Sequence, residues 1–386
     1  MSLLDDLRAE LAALDEASLR RVRRANELPC GPKMRVAGKE LLSFCSNDYL
    51  GLAADPAIAK ALLEGVVKYG TGSGASHLVS GHYDVHDQLE ARLAAFTGNE
   101  RALYFTTGYM ANVGVIPALV GRKDAIFADK LIHASLVDGA LLSRATLIRY
   151  PHNDLAALEG ALKATPAPRK LIVTDGVFSM DGDIAPLARM LELAEEHDAW
   201  LLVDDAHGFG VLGPQGRGAL AEAGLQSWRI LQMATLSKAA GVSGAFVAGQ
   251  ADVIEYLLQK ARTGIFTTAS APALAQALLT SIDLIEAGDF RRNRLQALTD
   301  TFRRSLKLTR WQLLPSRTAI QPVVIGDNAE ALRVAAALRD AGVIVPAIRP
   351  PTVPAGTARL RVSISARHEI EDVLRLADLL NALEAF

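Results

Sequence analysis

From Arg101 onward, short apolar runs bounded by polar residues or glycines recur along the chain: RALYFTT, DAIFAD, TLIRY, KLIVTDG, AWLLVDDA, ILQMATLSK and SGAFVAG. Between them lie stretches such as DLAALEGALKA and LARMLELAEEH, whose apolar residues return every three or four positions. The runs read as buried strands and the intervening period as helix, so the alternation predicts an α/β fold with a largely parallel sheet wrapped by helices. Beyond about Phe290 the pattern becomes IQPVVIG, NAEALRVAAALRDAG, ARLRVSIS and HEIEDVLRLADLL, which suits a smaller α+β domain. At the other end, MSLLDDLRAELAALDE sets Leu3, Leu7, Leu11 and Leu14 on one helical stripe and reads as an amphipathic arm. The expected organisation is an N-terminal arm over 1–45, a large catalytic domain over 46–289 and a small C-terminal domain over 290–386.

Composition narrows the function classes. The chain has 386 residues, half of them hydrophobic and 22% charged, with a formal net charge of -2. Such a chain has material for two or three domains and offers no broad basic face to nucleic acid. The N-terminus carries acids where a signal peptide carries basic residues, and the charge-free stretches Ala102–Gly121 and Thr263–Ile282 are broken by Thr, Gly, Asn, Ser, Gln or Pro. No membrane span is expected. Cys30 and Cys45 make neither a disulfide framework nor a zinc pattern, which fits a reducing cytoplasm.

Chemistry is concentrated where apolar strands stop. In WLLVDDAHGFG the strand from Trp200 to Val203 runs into Asp204, Asp205 and His207, and buried carboxylates need compensation. In ATLSKAAGVSGAF a second strand delivers Thr235, Ser237 and Lys238 into a glycine-bordered turn, where desolvation favours an amine that forms Schiff bases. Two decoys fail in context. GFGVLG matches GxGxxG, but Pro214, Gly216 and Gly218 follow it and deny it a helix to receive a pyrophosphate. His82 and His86 in HYDVH lack the glutamate and third ligand of a catalytic zinc site, so no metal is expected.

Lys238, Asp204 and His207 together match what pyridoxal 5'-phosphate requires: an amine for its aldehyde, an acid facing its ring nitrogen and a donor near its phenolic oxygen. Gly108 and Tyr109, at a strand-to-helix turn in FTTGYMANVGV, offer backbone amides to the phosphate, with the Thr235 hydroxyl beside them. His133, opening a predicted helix in DKLIHASLVDG, is either a stacking partner for the ring or a helix cap.

An ordered set of segments, SNDYLGL, GTGSGASHLVSGH, GVFSMDGD, VDDAHGFG, TLSKAAGVSGAF and IRPPTVPAGTARLRVSISARH, resembles the α-oxoamine synthases nearly end to end. These are pyridoxal-phosphate enzymes of the aspartate-aminotransferase fold type, fold type I. The resemblance implies a mostly parallel seven-stranded sheet and assigns catalysis to Lys238, His133, Asp204 and His207. Lys238 would bind the cofactor aldehyde, Asp204 its ring nitrogen, His207 and Ser179 its phenolic oxygen, and His133 would stack on the ring. Gly108, Tyr109 and Thr235 would hold the phosphate. Thr267 and Thr268 in GIFTTAS would reach the neighbouring subunit's phosphate, which implies a homodimer with shared sites. Asn47 and Arg361 would hold the amino-acid carboxylate, Thr352 would contact substrate, and Arg21, or in its place Arg20, would meet the acyl end.

PPTVPAGTARLR is most similar to the biotin-pathway branch, which implies a decarboxylating condensation of L-alanine with a pimeloyl thioester carried on coenzyme A or acyl carrier protein. The alternative within the family condenses glycine with acetyl-CoA. Two positions depart from the common pattern: Ser237 stands where many relatives have glycine, and His77 where many have arginine.

Overall fold

A computed structural model describes residues 2–17 and 19–385, arranged as two compact units: 47–296, and 1–46 together with 297–386. The chain begins with helix α1 (Leu3–Glu16), started by a capping box in which Ser2 Oγ accepts the Asp5 N–H at 3.3 Å and the Asp5 carboxylate accepts the Ser2 N–H at 3.1 Å. The leucine stripe of α1 is exposed. Strands β1 (Lys33–Val36) and β2 (Lys39–Ser43) form a hairpin around Ala37 and Gly38, with φ of +50° and +74°. Two successive positive φ values give a two-residue turn the twist its strands require.

The unit 47–296 is built on seven strands: β3 (Arg101–Phe105), β4 (Ala125–Asp129), β5 (Thr146–Tyr150), β6 (Lys170–Asp175), β7 (Ala199–Asp204), β8 (Ile230–Thr235) and β9 (Ala245–Gly249). Their order is β3-β9-β8-β7-β6-β4-β5, and only β9 runs against its neighbours. Each of the seven apolar runs read from the sequence is one of these strands. Helices cover the sheet, among them α2 (Pro56–Tyr69), α3 (Asp84–Thr97), α4 (Gly108–Leu119), α5 (Ala134–Ser143), α6 (Leu155–Ala164) and α7 (Leu187–Glu196). Every residue of β4, β8 and β9 is buried, as expected of strands covered on both faces. Val115, Ile116 and Leu136 from α4 and α5 pack on Ile126, Val173, Leu202, Leu231 and Val247 from the strands.

The other unit has a four-stranded antiparallel sheet of β10 (Gln312–Leu313), β11 (Ile320–Gly326), β14 (Ala358–Ser363) and β13 (Ala347–Ile348) in that order. Strand β12 (Val343–Ile344) pairs in parallel with β2, so the hairpin from the expected arm is continuous with C-terminal sequence. Helices Asn328–Asp340 and Ile370–Glu384 correspond to the two apolar helical periods seen there. No described helix is long and apolar enough to cross a membrane.

Candidate active site

Three strand ends meet at the carboxyl edge of the seven-stranded sheet, where α/β folds hold ligands. β6 ends in Asp175, β7 in Asp204 and β8 in Thr235, and the register sets Asp175 beside Asp204. A cavity of about 230 Å³ opens there, walled by Gly108, Tyr109, His133, Ser179, Asp204, His207, Thr235 and Lys238. Every expected cofactor residue except Thr267 and Thr268 is therefore in one wall.

Asp204 is 5% exposed. Its Oδ2 accepts from Asn112 Nδ2 at 2.8 Å and its Oδ1 from the Ala206 N–H at 3.1 Å, which fixes the plane of the carboxylate. Asn112 is itself oriented by a second bond, from Nδ2 to Ser135 Oγ at 2.9 Å. A carboxylate so placed in a cavity wall suits a ligand that brings a cationic N–H. The next residue turns the other way, into the protein. Asp205 accepts from the Ala219 N–H at 2.9 Å and from Gln232 Nε2 at 3.0 Å, and burial pushes its carboxyl up to about 8. Room for it comes from glycine: a Cβ on Gly208 or Gly218 would lie 2.1 or 1.8 Å from an Asp205 oxygen. GFGVLG is thus packed around an acid, and only the single turn Pro214–Gly216 follows it.

Lys238 sits in the β8–β9 connection. That turn is closed by Leu236 N–H to Gly244 O at 2.8 Å, Val242 N–H to Leu236 O at 3.1 Å and Gly241 N–H to Lys238 O at 2.9 Å. Gly241, with φ +69°, has backbone of Leu52 and Ala53 where a Cβ would be, the nearest atom at 2.4 Å. Thr235 Oγ1 donates to Gly244 O at 3.1 Å and lies 2.8 Å from Ser237 Oγ.

The amine is linked to a directional chain. Lys238 Nζ lies 2.9 Å from His207 Nε2, His207 Nδ1 is 2.7 Å from Tyr49 Oη, and Tyr49 Oη donates to Asn47 Oδ1 at 3.1 Å. An ammonium only donates, so Nε2 accepts, Nδ1 carries the proton and the tyrosine passes its own hydrogen to Asn47.

His133 is both things the sequence allowed as alternatives, a cavity residue and a cap. It is the N-cap of α5, with Nδ1 accepting the Ser135 N–H at 3.2 Å and 2.7 Å from the Ser135 hydroxyl, which leaves its proton on Nε2. Its own N–H donates to Asp175 Oδ1 at 3.2 Å. Burial pushes the His133 pKa down, so the ring is neutral at pH 7, and burial beside Asp204 pushes Asp175 well up. α4 begins at Gly108, with Thr107 Oγ1 accepting the Met110 N–H at 3.1 Å, and presents a helix start to the cavity. Tyr109 Oη donates to Asp138 at 2.5 Å.

The remaining expected residues are not in this wall. Thr267 is half-buried and Thr268 exposed, between the short helix Arg262–Ile265 and the helix Pro272–Glu286. Arg21 and Thr352 are exposed, and Arg20 pairs with Asp15 at 2.5 Å. Arg361 is buried in β14, its Nη1 donating to Ser363 Oγ at 2.7 Å. Sequence reasoning missed Asn112, Ser135, Asp175 and Tyr49. The available signal was weak: one asparagine in the apolar helix GYMANVGVIPAL, and a tyrosine inside SNDYLGL.

The donor set fits pyridoxal phosphate. An amine and a buried carboxylate lie in one small cavity with an imidazole, hydroxyls and a helix N-terminus, one group for each polar part of that cofactor.

Comparison with known proteins agrees. The family model for aminotransferase class I and II matches residues 39–380. The 8-amino-7-oxononanoate synthase of Aromatoleum aromaticum is 70% identical over 383 residues, 99% of each chain, and that of Azoarcus sp. is 68% identical over 99% of this chain and 98% of the other. A serine palmitoyltransferase from S. paucimobilis, solved with PLP and myriocin bound, superposes with a TM-score of 0.93 at 33% identity, covering 100% of this chain and 99% of that one. The 8-amino-7-oxononanoate synthase from Francisella tularensis superposes at 0.78 with 32% identity, over 89% and 97%.

Proposed function

The chain belongs to the aminotransferase class I and II family and, within it, to the 8-amino-7-oxononanoate synthases, and from that premise we propose that it condenses L-alanine with a pimeloyl thioester. The products are 8-amino-7-oxononanoate, carbon dioxide and the free carrier thiol, a step of biotin synthesis. A carbon–carbon bond forms between the alanine α-carbon and the thioester carbonyl, the carbon–sulfur bond breaks, and the alanine carboxylate leaves. The observation that carries this reading is the 70% identity with a synthase of that name over 99% of each chain. The cofactor is pyridoxal 5'-phosphate. When bound, it supplies an aldehyde that takes up amines and a ring that spreads the charge of a carbanion beside nitrogen.

This chain's residues do the rest. Lys238 Nζ binds the aldehyde, and once the alanine amine replaces it, Nζ takes the α-proton and later returns one. Asp204 keeps the proton on the ring nitrogen, and the two bonds it accepts hold it in place for that task. His207, with its Nε2 toward Lys238, and Ser179 serve the phenolic oxygen. His133, neutral with its proton on Nε2, stacks on the ring and orients the thioester carbonyl with that N–H. Gly108, Tyr109 and Thr235 hold the phosphate. Arg361 and Asn47 are assigned the amino-acid carboxylate, Thr352 a substrate contact and Arg21 the terminal acyl carboxylate, which a guanidinium binds well. Thr267 and Thr268 are assigned to the partner's phosphate in a homodimer, and the reaction is placed in the cytoplasm.

Mass analysis of the product from purified enzyme, alanine and pimeloyl-CoA tests the reading. The expected product is 8-amino-7-oxononanoate with one thiol released, and none from glycine with acetyl-CoA. The reverse preference would overturn it.

A further inference from the structure

A second cavity, of about 240 Å³, opens elsewhere in the unit 47–296 and shares no lining residue with the active site. One side of it is polar, with His77, His82, Asp87 and Glu90, and the other apolar, with Leu103 and Leu257. Asp87 and Glu90 are three residues apart and so share a face of α3. His82 Nε2 lies 2.9 Å from Asp87 Oδ1, and ligand atoms of His82, Asp87 and Glu90 all lie within 4.8 Å of one another. An ion bound at about 2.0–2.2 Å from each needs only small side-chain adjustments to meet all three.

The surroundings favour a cation. Glu90 is anchored, its Oε1 accepting the Tyr104 N–H at 2.8 Å, and a carboxylate has a second oxygen to offer. His82 Nδ1 is 2.7 Å from His77 Nδ1, so His77 can accept the Nδ1 proton and leave the Nε2 lone pair toward the carboxylates, the usual support for a metal-bound imidazole. His77 and His86 are pushed down to about 4, chiefly by burial, so neither ring adds positive charge at neutral pH. Arg101, also in this wall, is paired with Glu255. His86 is already engaged at both nitrogens, Nδ1 by the Tyr83 N–H at 3.1 Å and Nε2 by Ser270 O at 3.0 Å, and acts as a structural post.

We propose that His82, Asp87 and Glu90 form a binding site for one divalent transition-metal ion of the zinc class, oriented by His77. The fourth coordination position faces the cavity. Imidazole with two carboxylates suits zinc or cobalt, whereas magnesium and calcium prefer oxygen ligands throughout. The ion ties the turn at His77–Gly81 to the start of α3, since its ligands come from both sides of the Tyr83–Asp84 junction.

Cobalt(II) is the probe, added to the cofactor-loaded, full-length enzyme. One ion per chain should bind with ligand-field absorption, be displaced by zinc and raise the unfolding temperature. His82→Gln, Asp87→Asn and Glu90→Gln should each weaken binding at least tenfold, and His77→Ala about tenfold. Lys238→Ala and His152→Gln, which alter the active site and another histidine–carboxylate cluster, should leave it unchanged. Retained cofactor absorbance and far-UV circular dichroism verify that each variant is folded. The inference is overturned if the wild-type chain takes up no cobalt, if Asp87→Asn and Glu90→Gln bind as well as wild type, or if Lys238→Ala abolishes uptake.

Discussion

At the scale of single residues, the active cavity is a set of side chains held by partners that do no chemistry themselves. Tyr49 is one: its hydroxyl fixes the tautomer of the imidazole beside Lys238. Tyr49→Phe removes one buried hydrogen bond, worth about 1 kcal/mol, and should lower kcat about fivefold while cofactor binding persists, which stopped-flow absorbance and steady-state rates would resolve. His133 carries two jobs that substitution can separate. His133→Ala should cost about 1 kcal/mol of stability in urea unfolding through the lost cap and also slow acylation, whereas His133→Asn should restore the cap alone. Acylation at the normal rate in both variants would remove the thioester role. Asp204, His207 and Lys238 were legible in the sequence because acids and amines interrupt apolar strands at a predictable edge. Asn112 and Tyr49 were not, because their effect comes from hydrogen bonds to residues 92 and 158 positions away.

At the scale of elements, glycines and charged clasps set the turns that carry these side chains. Gly218 has φ +107° and Asp205 Oδ2 1.8 Å from where a Cβ would be, whereas Gly224, at φ +67°, has open space. Gly218→Ala should destabilise by about 3 kcal/mol in urea titrations and Gly224→Ala by about 1 kcal/mol, the backbone cost alone. A second clasp holds the turn before Ser179's neighbours. His152 lies between Asp129, at 3.0 Å, and Asp183, at 2.8 Å, with Phe178 edge-on at 4.4 Å.

Burial works against the imidazolium of His152, but its two carboxylates win and raise its pKa to about 9. A folded-state pKa above the unfolded value of about 6.5 means stability that is complete below that pH and lost as pH rises through 9. Unfolding midpoints for the wild type should therefore fall between pH 6.5 and 9 more steeply than for His152→Gln. The seven strands were readable from apolar runs bounded by turn residues. The hairpin at Ala37 and the five-residue π turn at His77–Gly81 were not, because a positive φ at alanine and an i→i+5 pattern leave no periodic trace.

At the scale of the whole molecule, the expectation that bears most on function is a dimer with shared sites. If Thr267 and Thr268 serve the partner's phosphate, a hybrid of a Lys238→Ala subunit with a Thr267→Ala/Thr268→Ala subunit retains one intact site. Co-expression should then recover activity that neither homodimer shows, and failure to complement would confine the threonines to their own subunit. The leucine stripe of α1 was legible as a helix, but a period of apolar residues does not say what covers it, and in the single chain it is exposed.

The β8–β9 connection has a consequence for turnover as a whole. The only strand that reverses direction gives the lysine a mount fastened on both sides by the sheet's interior, with no slack on either. An enzyme whose amine must let go and recapture its coenzyme in every cycle depends on finding the same spot each time, and here that return address is written into the least yielding part of the architecture.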